Sequence, residues 1–153
     1  MIEGETIVSH LETRRSGGAT RDDLMKEAVG LIEAARQDYD WVGIYLLQDG
    51  VLVLDNYLGE ETEHTRIAVG DGVCGTAVAE DRNLNIPDVN EIENYIACSI
   101  GTASELVVLM RTSAGDVVGQ LDLDSDRPAA FDEGDERELG VVADWLGRLF
   151  DEG

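Results

Sequence analysis

The sequence predicts an α+β fold in which a central antiparallel sheet is flanked by N- and C-terminal helices. Two segments have the apolar spacing of amphipathic helices, and between them two pairs of apolar runs are joined by short turn sequences. Strands joined by short hairpins are antiparallel, whereas parallel neighbours need a long crossover. The 153 residues match one ordinary domain with a sizeable core. We therefore expect a single domain over 1–153, with 1–18 as a helical extension and joint and 19–150 as the core.

The predicted helices at the two ends of the chain are defined by periodicity and caps. Residues 2–15 have weak helical periodicity and end in a glycine-containing joint, and their apolar side is a candidate dimer surface. Thr20 has the residue type of an N-cap, and apolar residues then recur at helical spacing as far as Gln37. Asp132 begins the last amphipathic segment, whose apolar stripe we expect to pack on the sheet or on a second subunit.

Five apolar segments between these helices are predicted strands. The pair Asp49-Gly50 favours the positive φ angles of a tight hairpin, and Ser113-Ala114-Gly115 joins a second pair of runs in the same way. The predicted strands are 41–47, 51–55, 65–69, 105–112 and 116–124. Two hairpins and one further short strand therefore make up the expected sheet.

The two cysteines lie in small-residue surroundings between the hairpins. Three glycines surround Cys74, so we expect a sharp turn into a short helix over 76–80, with Cys74 near a helix N-terminus where the dipole favours a thiolate. Residues 88–101 have no strong period, which makes Cys98 a loop residue. Each cysteine taken alone is also compatible with inert packing, because free cysteines are often buried as small hydrophobes.

A strand of alternating acids and leucines follows the second cysteine. Asp122 and Asp124 stand two residues apart, so both side chains point to one face while Leu121 and Leu123 point to the other. Like-charged neighbours raise each other's pKa and can share one proton at neutral pH. The alternatives for these acids are a solvated edge strand or part of a generally acidic surface.

The net charge of −22 is dispersed along the chain, with 33 acidic residues against ten arginines and a single lysine, Lys26. This charge argues against a nucleic-acid partner, because phosphate binding needs clustered positive charge. A dispersed acidic surface with almost no lysine indicates adaptation to high salt, where self-repulsion is screened. A docking patch for a basic partner is less favoured, because the acids do not occur in blocks.

The sequence also bears on where the protein acts. No apolar run approaches the length of a membrane span, so we expect no membrane association. The first residues lack the basic and hydrophobic segments of a secretory signal. We therefore expect a cytoplasmic protein whose thiols are reduced at rest.

Several of these segments, taken in order, resemble a known family. The matching runs are Asp40–Leu47, Arg66–Ala77, Ile96–Cys98, Ser104–Leu106 and Gly119–Ser125. In this order they resemble the free methionine-(R)-sulfoxide reductases, which are stand-alone GAF domains. The resemblance covers about residues 21–150, and the combination of motifs is more specific than any one of them.

The resemblance implies an activity and its partners. Members of this family reduce free L-methionine (R)-sulfoxide to methionine, usually as homodimers, and they bind no cofactor. The expected partners are therefore the free sulfoxide and an external thiol reductant, either a thioredoxin-like protein or a small thiol. No metal is expected, because the spacings of the histidines, cysteines and acids match no familiar zinc pattern.

The resemblance also implies roles for individual residues. Cys98 matches the catalytic nucleophile, whose thiolate attacks the sulfoxide sulfur and becomes a sulfenic acid. Glu105 and Asp122 match the catalytic carboxylates, because sulfoxide oxygen leaves only when it is protonated or strongly hydrogen-bonded. Both acids also match the substrate-binding set, together with Asp124 for the ammonium group and the aromatic wall of Trp41 and Tyr45. For the two aromatic residues the alternative is plain core packing.

One position departs from the family pattern. Family members commonly carry a third cysteine that resolves the sulfenic acid, and here that position is His64. Cys74 is the remaining candidate for the resolving thiol, and discharge by a small cellular thiol is the alternative. The departure favours a rival class, a GAF module that senses a small molecule or redox state without catalysis.

Overall fold

The computed structural model describes residues 2–91 and 101–151, and the predicted loop cysteine Cys98 lies outside these residues. The chain has the element order α1(Gly4–Ser16), α2(Arg21–Ala35), β1(Trp41–Gln48), β2(Val51–Leu58), β3(Arg66–Ala68), α3(Gly72–Glu80), β4(Leu84–Ile86), β5(Ser104–Arg111), β6(Val117–Ser125) and α4(Glu133–Arg148). One turn of 3₁₀-helix, Val89–Glu91, follows β4. The strands form one six-stranded sheet in the order β3-β2-β1-β6-β5-β4, and every pairing is antiparallel. This architecture confirms the predicted fold class.

Two helices begin at the caps that the sequence predicts. The hydroxyl of Thr20 accepts a hydrogen bond from the backbone N–H of Asp23, and the Asp23 carboxylate accepts one from the backbone N–H of Thr20. Asp132 and Asp135 make the same reciprocal pair at the start of α4. Each pair satisfies two backbone donors that a helix N-terminus otherwise leaves without partners.

Three helices cover one face of the sheet, which we call the helix face. α4 packs against β5 and β6, α2 packs against β1 and β2, and α1 packs against both helices. The side chains of α1 that the sequence analysis considers for a dimer surface, including Ile7, Val8 and Leu11, are buried within the same chain. That expectation is therefore wrong for this side of α1, because α4 already covers it. None of the described helices has the length and apolar character that crossing a membrane requires.

On the opposite face, which we call the site face, α3 is the one helix that residues 2–91 and 101–151 supply. This helix begins at Gly72, four residues before the predicted start, so Cys74 lies within its first turn. Gly75 explains the difference, because a Cβ at this position would lie 2.4 Å from the carbonyl oxygen of Ala68. From the sequence, Gly75 indicates a turn before the helix. In the structure it lies inside the helix and allows close packing on the preceding turn. β4 was not predicted, because three residues are too few to show a strand period.

Candidate active site on the sheet

The acids of β6 are the starting point of the candidate site. β6 lies in the middle of the sheet between β1 and β5, so both of its edges are hydrogen-bonded to neighbouring strands. Asp122 and Asp124 point to the site face and are at most 1% exposed, while Leu121 and Leu123 belong to the core of the helix face. The shared orientation of the two acids is confirmed, and the alternative of a solvated edge strand is wrong.

Strand register brings a third acid and an aromatic residue beside this pair. Glu105 on β5 lies directly opposite Asp124, and Trp41 on β1 lies opposite Asp124 from the other side. Gly43 lies opposite Asp122. Glu105 is only 1% exposed, so three carboxyl groups are buried on one patch of the sheet. Burying several acids together is costly unless protons or a cation neutralise them.

The carboxyl group of Asp124 has a strongly raised pKa. Burial raises the pKa of its carboxyl group well above the usual range, and the charge of Asp122 raises it further. A hydrogen-bonding interaction with the side chain of Glu105 offsets part of this rise in the pKa of Asp124. Neither carboxylate oxygen of Asp124 accepts a hydrogen bond from an N–H or hydroxyl group of residues 2–91 or 101–151. The patch therefore favours a proton or a ligand cation at Asp124.

Cys74 lies beside the acids. It is 3% exposed, and its thiol donates a hydrogen bond to Oε2 of Glu105 over 3.7 Å. The backbone carbonyl of Cys74 accepts a hydrogen bond of 3.0 Å from the side-chain amide of Gln120. Gln120 precedes Asp122 by two residues on β6, so it holds the first turn of α3 against the acid-bearing strand. The thiol of Cys74 therefore lies on the same patch of the site face as the acids.

Two aromatic side chains form one wall of the site. Trp41 and Tyr45 stand four residues apart on β1, share the site face and are fully buried, with ring centroids 6.4 Å apart. Tyr57 on β2 stacks on Trp41 at a centroid distance of 5.3 Å. The indole N–H of Trp41 donates to the carbonyl oxygen of Glu60 over 3.0 Å. The wall is therefore rigid and apolar on the side that faces the acids.

His64 lies at the end of this wall. The hydroxyl of Tyr45 donates a hydrogen bond of 2.7 Å to the backbone carbonyl of His64. The backbone N–H of His64 in turn donates to the hydroxyl of Thr62 over 3.0 Å. The side chain of His64, at the position where the family resemblance implies a third cysteine, is half-buried and lies at the border of the site.

Three side chains of the site are close enough together to coordinate a single cation. The ligand atoms of Cys74, Glu105 and Asp122 all lie within 4.8 Å of one another. Thiolate and carboxylate groups are ligands that zinc accepts. Each of these three side chains has further interactions, and we assign no metal to them. The expectation that the site needs no metal stays a prediction.

Three further residues frame the site, and they were not among those predicted from the sequence. Gln120, Gly43 and Tyr57 all contact or frame the predicted site residues. The alternation of β6 would have placed Gln120 on the same face as Asp122 and Asp124, since it is two residues earlier. Gly43 and Tyr57 could not be found in this way, because their roles depend on the pairing of β1 with β2 and β6.

Comparison with known proteins places this geometry in a family. The GAF domain model matches residues 21–149. The free methionine-R-sulfoxide reductase of Escherichia coli (strain K12) is 41% identical over 112 residues, which cover 73% of this chain and 67% of that protein. The chain spans about two thirds of the length of the first curated relatives it matches.

Solved structures give the same result. The type II free methionine-R-sulfoxide reductase from Thermoplasma acidophilum is similar with a TM-score of 0.82 at 39% identity, over 86% of this chain and 93% of that one. The free methionine-R-sulfoxide reductase from Neisseria meningitidis, in complex with its substrate, has a TM-score of 0.85 at 32% identity, over 94% of this chain and 86% of that one. The chain therefore belongs to the GAF domain family, among relatives that include free methionine-R-sulfoxide reductases.

Proposed function

We propose that this chain reduces free L-methionine (R)-sulfoxide to methionine. The observation that carries the proposal is the buried patch of Glu105, Asp122 and Asp124 on the same sheet face as Trp41 and Tyr45. Acids and aromatic rings at this spacing complement a small zwitterion with an ammonium group, a polar sulfoxide oxygen and a methyl group. Relatives and structural neighbours named free methionine-R-sulfoxide reductase support the same activity.

The substrate is held at both of its ends in this proposal. Its ammonium group binds Asp124, which is buried and accepts no hydrogen bond from an N–H or hydroxyl group of the described residues. A cation there lowers the pKa of the carboxyl group that burial has raised, so binding and ionisation reinforce each other. The S-methyl group lies against Trp41 and Tyr45. An ammonium pocket of this kind selects the free amino acid over a sulfoxide within a peptide.

The reaction needs a thiolate and a proton. The thiolate of Cys98 attacks the sulfoxide sulfur, and Glu105 or Asp122 supplies the proton that neutralises the departing oxygen. Oxygen passes to the sulfur of Cys98, so the thiolate, one proton and the sulfoxide become a cysteine sulfenic acid and methionine. The clustering of acids supports the proton-donor role, because mutual repulsion keeps a proton available at neutral pH.

A second thiol then restores Cys98. Cys74 is the proposed resolving thiol, and its position beside Glu105 supports this role. Its thiol attacks the sulfenic acid, which forms a disulfide and releases water, and an external dithiol such as a thioredoxin-like protein reduces the disulfide. Direct discharge by a small thiol is the alternative route.

The setting of the enzyme is also part of the proposal. We expect a homodimer that acts in the cytoplasm of a cell adapted to high salt, with no bound cofactor. The dispersed net charge of −22 supports the adaptation to salt. Light scattering at molar potassium chloride tests the dimer, and a mass that corresponds to one chain would contradict it.

The activity is tested with the separate R and S sulfoxides of free methionine, at high salt and with dithiothreitol as reductant. We expect turnover of the R form alone and its loss in Cys98→Ser. Tight binding of the sulfoxide with no turnover by the unaltered chain would favour the sensing module instead. N-acetylated methionine (R)-sulfoxide is the matched control, because it lacks the ammonium group and should not compete.

The resolving role is tested by comparing two reductants. Cys74→Ser should keep its turnover with dithiothreitol and lose it with a thioredoxin system. Equal losses with both reductants would assign Cys74 to the chemical step or to packing instead.

A further inference from the structure

We infer that Gly43 is a positioning residue that sets the orientation of Trp41 and so limits the size of the sulfur substituent that the site accepts. The inference rests on the proposed function for its substrate. Gly43 does not contact the reacting groups in this account, and it acts through the indole ring. Neither the fold nor the matched motifs assign it this role.

Space, rather than backbone conformation, makes glycine necessary at this position. Gly43 pairs in regular register with Tyr57 on β2 and with Asp122 on β6, and it is not among the residues with positive φ. A Cβ at position 43 would lie 2.5 Å from Cη2 and 2.6 Å from Cζ3 of Trp41. Any side chain at position 43 would therefore have to displace the benzo ring of the tryptophan.

The indole ring has little freedom to move away. Tyr57 stacks on it with an interplanar angle of 15°. Its N–H group donates to the carbonyl oxygen of Glu60. On its pyrrole edge, a Cβ at Gly59 would lie 2.8 Å from Cδ1 of Trp41, so this glycine also approaches the ring closely. The ring is fully buried and is held on its face and on two edges.

The position of the ring has a consequence for the substrate. Because Trp41 crosses over Gly43, and Gly43 lies opposite Asp122, the benzo ring lies on the site face beside the acid-bearing strand. A substituent on the substrate sulfur meets this ring. The ring then fits a methyl group and excludes longer alkyl groups, and a shift of the ring changes how well the methyl group is held.

The test is a double-mutant cycle between Gly43→Ala and Trp41→Phe. Phenylalanine lacks the benzo edge that a Cβ at position 43 would meet, so the second change should relieve the first. We expect Gly43→Ala to lower kcat/KM for free methionine (R)-sulfoxide by about 10–100-fold, mainly through KM. In the double variant, the added loss from Gly43→Ala should be less than about threefold relative to Trp41→Phe alone.

Gly30→Ala is the matched control, since a Cβ at Gly30 has no atom within 4 Å and should leave KM unchanged. Free ethionine (R)-sulfoxide is the second substrate, and its rate relative to the methyl compound should rise in Trp41→Phe and stay low in the unaltered chain. The near-ultraviolet circular dichroism of the tryptophans should change in Gly43→Ala.

Two results would overturn the inference. The first is additive effects on both KM and the unfolding midpoint, which would mean that position 43 does not act through Trp41. The second is a loss of stability in Gly43→Ala with an unchanged KM for the folded protein. Failure of the proposed function would give a different result. A chain that reduces neither methionine sulfoxide nor ethionine sulfoxide could still be tested for coupling between Gly43→Ala and Trp41→Phe, because the unfolding midpoint does not depend on turnover.

Discussion

Two buried aspartates in this protein have the same exposure and opposite surroundings. Asp135 and Asp124 are each 1% exposed. Asp135, in the first turn of α4, accepts hydrogen bonds from the guanidinium of Arg36, the hydroxyl of Tyr39 and its partner in the capping box. Asp124, on the site face, has no such donor among residues 2–91 and 101–151. The chain itself provides hydrogen-bond donors for Asp135, whereas Asp124 is left to bind a ligand or a proton.

The pKa values follow this difference. Burial acts to raise the pKa of Asp135, but the hydrogen bonds from Tyr39, the backbone and Arg36 outweigh it, so the pKa is lowered. At Asp124 burial and the charge of Asp122 act together, so the pKa is raised. A buried acid that its own chain satisfies stabilises the fold. A buried acid without donors costs stability and is retained here, in our account, because it binds the substrate.

The largest expected effect is on catalysis at Asp122, which neighbours Asp124, with no loss of stability. Asp122→Asn should lower kcat by about 10²–10⁴-fold, because it removes a proton donor from the sulfoxide oxygen. The free energy of unfolding should not fall, since asparagine has nearly the same shape and no charge. Steady-state kinetics and urea unfolding measure the two quantities. Asp144→Asn, on the exposed side of α4, is the control. Retained activity in Asp122→Asn would contradict this role for Asp122 and leave Glu105 as the proton donor.

Asp124→Asn should weaken substrate binding rather than slow the chemical step. Losing a hydrogen bond to the charged ammonium should cost about 1.5–3 kcal/mol, which is roughly a 10–150-fold rise in KM. The change should leave kcat within a few-fold of the original. Calorimetric titration with free methionine gives the same comparison without turnover. An unchanged affinity would move the ammonium site away from Asp124.

Asp135→Asn should have the opposite outcome. The substitution replaces a carboxylate that accepts hydrogen bonds from three donors. We therefore expect a loss of about 1–3 kcal/mol in the free energy of unfolding. The KM for the sulfoxide should be unchanged, because Asp135 lies at the start of α4 on the helix face. Thermal and urea unfolding measure the loss. An equal loss in Asp124→Asn would erase the distinction between the two acids.

The two acids should also give opposite dependences of stability on pH. The lowered pKa of Asp135 provides stability that is present above the ordinary aspartate range and is lost as pH falls through the lowered value. The raised pKa of Asp124 reduces stability as pH rises from the ordinary range through the raised value. Urea unfolding of each asparagine variant against the unaltered chain, across pH, isolates each contribution. Parallel curves for the two variants would contradict these assignments.

The smallest expected effect concerns the surface rather than either buried acid. Salt screens the repulsion of a chain with a net charge of −22, so the unfolding temperature should rise between low salt and molar potassium chloride. A gain of about 1–2 kcal/mol would raise it by roughly 2–8 °C in a chain of this size. Differential scanning fluorimetry measures the shift. An unfolding temperature that does not depend on salt would remove the argument for salt adaptation.

The elements of the fold that were predictable from sequence are those with local signals. Thr20 and Asp132 cap their helices because capping depends on residues three positions apart. The hairpin of β1 and β2 follows from the pair Asp49-Gly50, both of which have positive φ. β4 was missed because its three residues are recognisable only through their pairing with β5, and the early start of α3 was missed because it depends on the close approach of Gly75 to Ala68.

The site divides in the same way. Periodicity alone puts Asp122 and Asp124 on one face of β6, and the family resemblance selects Glu105, Trp41 and Tyr45. The opposite pKa shifts of Asp124 and Asp135 were not predictable, because the side-chain donors of Asp135 come from residues almost a hundred positions away. The role of Gly43 likewise depends on the path of a tryptophan ring, which no spacing rule describes.

The central claim is that the acids of the site face and Cys98 meet around one bound amino acid. A crystal structure of the reduced Cys98→Ser protein with free methionine (R)-sulfoxide tests it most directly. We expect the ammonium nitrogen about 2.7–3.2 Å from Asp124, the methyl group against Trp41, and the side chain at position 98 facing the substrate sulfur. A ligand bound elsewhere, or position 98 on the far side of the sheet from the acids, would contradict the account.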